Sequence, residues 1–187
     1  MDGDGAKPGR PVELTVLARR YEAVKQEVAA GLTARQDASR PGAEPSAGRR
    51  DARRIAAERL GAGVSHTTLE KVLWLRRVAF DRERRGSLRE AAFEALAAVE
   101  AGGPVNQPYQ RVRALVLIDD LAQAATTAPP GSLAHTAARR HLKLLRQHGG
   151  WAAPDLMRRQ ARQALTAAAR FDQDMRDIAE QAGPAWT

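Results

Sequence analysis

The sequence predicts an all-α protein, a helix-turn-helix domain set between an N-terminal helix and a long C-terminal helix. Three observations predict it. Aromatic residues are only 4% of the chain although 43% is hydrophobic, so the core has to be built from Leu, Val, Ile and Ala. Ala, Leu, Arg, Glu and Gln dominate, and these lose little on entering a helix. No segment pairs period-two alternation with β-branched residues, whereas several repeat apolar residues every three or four positions. The 187 residues allow one domain with a real core or two small ones.

The chain divides into five expected stretches. Residues 1–10 form a disordered tail, rich in Gly and charge. Residues 11–32 form an amphipathic helix: Pro11 suits a first helical position, and Leu14, Leu17, Tyr21, Val24 and Val28 recur at 3-4-3-4 spacing up to Gly31. Residues 33–48, with Pro, Gly, Ser and Ala, form a flexible linker. Residues 49–128 form the helix-turn-helix domain, and residues 129–187 a helical hairpin that serves as a dimerisation region.

Within the central domain, a first helix runs from Asp51, a candidate cap, to Leu60, with Ile55 and Ala56 on its apolar side. Gly61 supplies a left-handed helix end, Val64 plugs the turn, and Ser65 caps a second helix. Two helices joined by a glycine-containing turn are what a DNA-reading helix-turn-helix requires, although Ala62 and Gly63 lengthen the turn by about two residues. Leu69, Val72, Leu73, Leu75 and Ala79 face inward. His66, Thr67, Glu70, Lys71, Trp74 and Arg77 share the other side. In this architecture the first turns of the second helix enter the major groove, which puts His66, Thr67 and Thr68 nearest base edges. Lys71 and Arg77 suit phosphates or guanine, and Ser65 with the neighbouring amides suits a phosphate oxygen. Arg49, Arg50, Arg53 and Arg54, on the helix that crosses the backbone, are the expected phosphate clamps. Glu70 either accepts from cytosine or only orients Lys71 or an arginine. Trp74 is either core or contact, and Arg76 can snorkel over apolar surface.

Further along, Ser87 and Glu90 have the spacing of a capping box for a helix over 88–101, stopped by Gly102-Gly103-Pro104. Asn106 is the expected cap of the next helix, whose apolar face is Val112, Leu115, Val116 and Leu121. Ser132 caps a short helix that closes at Gly149-Gly150, where Trp151 packs at the corner. In the last helix Met157, Ala161, Ala164, Ala168, Phe171, Met175 and Ile178 follow the 3.5-residue period of a coiled-coil seam. They are the expected dimerisation residues, the other reading being an ordinary core-facing stripe.

Net charge is +8. Residues 49–89 carry 12 basic and 5 acidic side chains, whereas 1–48 balance at 7 each and 90–187 carry 11 and 10. A localised positive field suits a polyanion, through release of condensed counterions.

RRIAAERLGAGVSHTTLEKVLWLRRV resembles the helix-turn-helix of ParB/RepB-type partition proteins and of related phage and plasmid regulators. SLREAAFEALAAVEAGGPVNQPYQRVRAL resembles the helical segment that follows it there. The likeness covers about residues 49–118. It implies a helical domain, a palindromic or repeated DNA site and dimeric function. It does not extend to the N-terminal nucleotide-binding domain of that family, for which residues 1–48 are too few.

The expected function is sequence-specific binding of double-stranded DNA by a homodimer, acting by site occupancy as a transcriptional repressor or a plasmid or phage partition-maintenance regulator. The alternative is a helical protein–protein adaptor whose basic segment is only solvated. A single-strand or RNA binder is disfavoured by the scarcity of stacking aromatics. No catalytic residues, cofactor, metal site or small-molecule substrate are expected: there is no Cys, Asp119 and Asp120 diverge by about 100° on a helix, and His135, His141 and His148 lack ligand spacing. No signal peptide and no apolar run of bilayer length are seen, so the expected location is cytoplasmic, on nucleoid or plasmid.

Overall fold

The computed structural model describes residues 14–39, 45–61 and 63–182, with side chains over 14–32, 52–61 and 63–181. Among them are seven α-helices, one 3-10 turn and no strand: α1 (Leu14–Ser39), α2 (Pro45–Leu60), α3 (His66–Phe80), α4 (Gly86–Glu100), α5 (Asn106–Thr127), α6 (Leu133–Gln147), the 3-10 turn Gly150–Ala152, and α7 (Asp155–Ala182). No described helix is long and apolar enough to cross a membrane. The chain divides into two compact units, residues 1–109 and 110–187, with the division inside α5. The sequence reading placed that boundary at 128. The expected tail 1–10, Pro11 and Ala62 lie outside the described residues.

In the first unit α1 packs on α2, α3 and α4, and α3 packs on α2 and α4. The α1 stripe buries Leu17, Tyr21 and Val28, and α3 buries Leu69, Val72, Leu73, Leu75, Val78 and Ala79. Each side chain of Leu size removed from water is worth roughly 1.5–3 kcal/mol, so this pair of faces anchors the unit. The linker read over 33–48 is mostly helix. Residues 33–39 continue α1, since Ala, Arg and Gln favour helix as much as linker. Pro45 opens α2, acting as a helix starter rather than a breaker. Asp51 therefore lies inside α2 and is not its cap. The expected capping box at Ser87 is also replaced. Asp81 Oδ1 accepts from the Glu83 amide at 3.0 Å, the chain turns early, and Arg85 becomes the cap residue with no side-chain bond.

In the second unit Leu117, Leu121, Ala138, Leu142, Leu145, Ala153 and Ala161 form the core. Along α5 the buried residues here are Val112, Ala114, Leu117 and Leu121, while Leu115 and Val116 are half-buried. The buried face is thus rotated from the expected one, with Ala114 and Leu117 in place of Leu115 and Val116. Gly149 and Gly150 take φ of 87° and 63°, a left-handed pair that L-residues with a Cβ avoid. They reverse the chain so that α7 runs back along α6. Asp172 of α7 accepts from the Leu133 and Ala134 amides at 3.2 and 2.8 Å, capping the far end of α6. A carboxylate at that positive helix end is favourable. Trp151 does not fill the corner. It is 49% exposed, and Arg111 lies 5.5 Å over its ring.

The expected seam of α7 splits in two. Ala161 and Ala168 are buried, and Met157 and Ala164 are half-buried. Met157 packs on the unit's own core. Ala161 lies in that core as well, so this half of the stripe follows the core-facing reading rather than the dimer-seam one. Phe171, Met175 and Ile178 remain 50, 49 and 57% exposed.

Candidate nucleic-acid interface

The pair α2–α3 presents the predicted residues, and the turn between them is built as its sequence requires. Gly61 and Gly63 have φ of 60° and 66°. Ser65 is extended, and its Oγ accepts from the Thr68 amide at 3.2 Å. Thr68 Oγ1 lies 2.9 Å from Ser65 Oγ, so both hydroxyls are engaged at the helix start. His66 and Thr67 are exposed on that same first turn. Directly behind them Leu69 and Val72 are 1% and 0% exposed. The geometry is a capped helix start with one imidazole and one hydroxyl exposed to solvent.

The rest of the expected DNA-facing side is partly covered by the unit's own side chains. Glu70 Oε1 accepts from Tyr21 Oη at 3.1 Å and from Lys25 Nζ at 3.0 Å, with Arg53 Nε at 3.6 Å. Burial alone would raise the Glu70 carboxyl. The hydrogen bond and charge of Lys25, with help from Tyr21 and Arg53, outweigh it and hold Glu70 below its ordinary value. Burial first, then the adjacent Glu70 carboxylate, pushes the Tyr21 hydroxyl well up. Glu70 thus faces α1 as a structural bridge; of its two expected roles, it orients a neighbouring arginine, Arg53, and not Lys71.

Lys71 Nζ donates to Asn106 Oδ1 at 2.9 Å and lies 5.7 Å over the Tyr109 ring. Trp74 meets Tyr109 edge-on, with centroids 5.2 Å apart. Trp74 is half-buried, between the two readings its sequence left open. Asn106, expected as a cap, receives Lys71 instead.

The described clamps each meet a carboxylate: Arg53 at Glu70, Arg54 at Glu58 (3.0 Å), and Arg77 at Glu22 (3.5 Å). Their side chains are 49, 62 and 64% exposed. Exposed pairs of this kind contribute under about 1 kcal/mol, so a phosphate can displace the carboxylate. Arg49 and Arg50 lie in α2, and their side chains are outside the described residues. Arg76 lies over Phe80 at 5.3 Å, and burial, then Arg19, lowers its guanidinium below the ordinary value, so its head is partly desolvated and does not snorkel into water.

The Tyr21–Lys25–Glu70 bridge was missed because nothing local couples positions 45 and 49 apart. The 3-4 spacing of α1 nevertheless put Tyr21 on its buried stripe. Among the described residues no group of three His, Asp or Glu side chains could hold a metal ion.

No known family, characterised protein or solved structure matches this chain. The reading of the site accordingly stands on its geometry.

Proposed function

We propose that the chain is a sequence-specific duplex DNA-binding protein that works by occupying its site, as a repressor or a partition-maintenance regulator of plasmid or phage type. One observation carries the reading. His66 and Thr67 stand exposed at the start of a helix whose opposite side is locked into a leucine and valine core. A helix held from behind, with hydrogen-bonding groups on its first turn, is what base reading in the major groove needs. Arg53 and Arg54 of α2, and Arg77 in the last turn of α3, contact phosphates after exchanging their carboxylates. The active species is a homodimer on two half-sites, joined through Phe171, Met175 and Ile178 of α7, and it acts at the nucleoid or plasmid.

Selection of bound sites from random duplex DNA tests the proposal, followed by Thr67→Ala. The expected result is a symmetric or repeated site whose preference changes in the variant. Equal losses on selected and random DNA would remove Thr67 from base reading. The adaptor reading is favoured by the carboxylates already on the clamps. A salt titration separates the two: DNA affinity falls steeply with salt for a DNA binder, and an adaptor shows no shift even at low salt.

A further inference from the structure

We infer that the outward face of α6 is a second polyanion-binding surface, a cradle for the phosphate backbone of duplex DNA carried by the second unit. The inference rests on the proposal that the chain binds DNA, and it is independent of which α3 side chains read bases.

The charge of the folded units points there first. The first unit holds 19 basic and 15 acidic residues, the second 11 and 7, so each has a net charge of +4. Within the second unit, no acidic residue occurs between Asp120 and Asp155, while Arg139, Arg140, Lys143 and Arg146 all fall in that stretch. All four are exposed on α6. Arg139, Lys143 and Arg146 stand at i, i+4 and i+7, one stripe of the helix, with Arg140 beside it. None of the four has an ion-pair partner among the described residues, in contrast to the clamps of the first unit. They line an open groove of about 650 Å³ whose floor is Leu142 and Ala125. His141, on the same helix, is held below its ordinary value by burial and then by Arg140.

The spacing suits a nucleic-acid strand. Arg139 to Arg146 spans about 10 Å of helix, and three nucleotide steps of about 3.4 Å rise cover the same length. The other side of α6 is used up: Ala134, Ala138, Leu142 and Leu145 are buried in the core. Leu133 at the helix start is the one large apolar side chain that α6 exposes among the described residues, too little to insert into a membrane surface. A patch with four cations at its centre is also unlike the centre of a protein interface, where charge is depleted. A phosphate backbone needs neither.

The test is the full chain with Arg139, Arg140, Lys143 and Arg146 all changed to Gln, titrated against random duplex DNA at several salt concentrations. Loss of at least tenfold in affinity is expected at low salt. The slope of log affinity against log salt should become shallower by about 3 to 4, near 0.9 for each phosphate no longer neutralised. A companion variant with the three arginines changed to Lys keeps the charge and should keep the slope; if the fourfold Gln variant fails to fold, Lys143→Gln with Arg146→Gln replaces it, and its slope should become shallower by about 2. Unchanged affinity and slope in the Gln variant would overturn the inference, as would loss of binding to a poly-glutamate peptide with DNA binding intact. A His66→Ala, Thr67→Ala chain separates the two surfaces. If it keeps its site preference while the Gln variant loses affinity, the α3 reading fails alone. The reverse pattern sinks the α6 cradle alone.

Discussion

Glu70 shows how far a single side chain can be read from sequence. Its place on the polar side of α3 was legible from the helical period, but its partners were not, because Tyr21 and Lys25 arrive from another helix. The bridge has consequences for stability. Replacing Glu70 with Gln removes charge-assisted bonds to Lys25 and Arg53 and should lower the unfolding free energy by about 1–3 kcal/mol at neutral pH. The pH dependence follows from the lowered carboxyl. Its stabilisation is complete above the ordinary value of 4.5 and is lost as pH falls through the lower native value. Urea unfolding between pH 7 and 3 should therefore show the difference between wild type and Glu70→Gln shrinking on the acid side. A constant difference would mean that Glu70 is not ionised in the native bridge. At the other extreme, the raised Tyr21 hydroxyl should cost stability as pH passes its ordinary value of 10.

At the scale of elements, caps and turns with local chemistry were readable and those set by the tertiary environment were not. Ser65 and Ser132 cap their helices as their sequences imply, Ser132 accepting from the His135 amide at 3.2 Å. Ser65→Ala should cost about 1 kcal/mol and lower DNA affinity by loosening the first turn of α3. Thermal melting and a binding titration on one preparation measure both. Ser87 failed as a cap because a turn around Asp81 had already set the helix start. Linker residues 33–39 and Pro45 were misread because composition alone does not tell a linker from a helix that begins at proline. Leu142 of α6 is 8% exposed, and Leu142→Ala should destabilise the second unit by about 2–5 kcal/mol. Residue-resolved hydrogen exchange should place the loss in residues 110–182.

At the scale of the molecule, the all-helical class was fully legible, since it depends only on composition and periodicity. The domain division was not, because it falls within a continuous helix that carries no break signal. Charge looks different at this scale: residues 49–89 carry +7 of the +8, yet each folded unit carries +4, because Glu90, Glu94 and Glu100 offset the basic block within the first unit. The seam of α7 was legible as a stripe but not as a buried half followed by an exposed half. Changing Phe171, Met175 and Ile178 to Gln leaves the buried half intact. Light scattering should then report half the wild-type mass with unchanged helical content. An unchanged mass would exclude this stripe as the dimer contact.

The bridge from α1 to Glu70 means that α3, the helix proposed to read DNA, is steadied by a segment encoded far upstream of it. Cutting the backbone between α1 and α2, or starting translation beyond Val28, would strip Glu70 of two of its partners and bare the leucines beneath. A cell could disarm the protein that way without altering one residue of α3. For the same reason α2 and α3 should not work as a portable cassette grafted onto another scaffold.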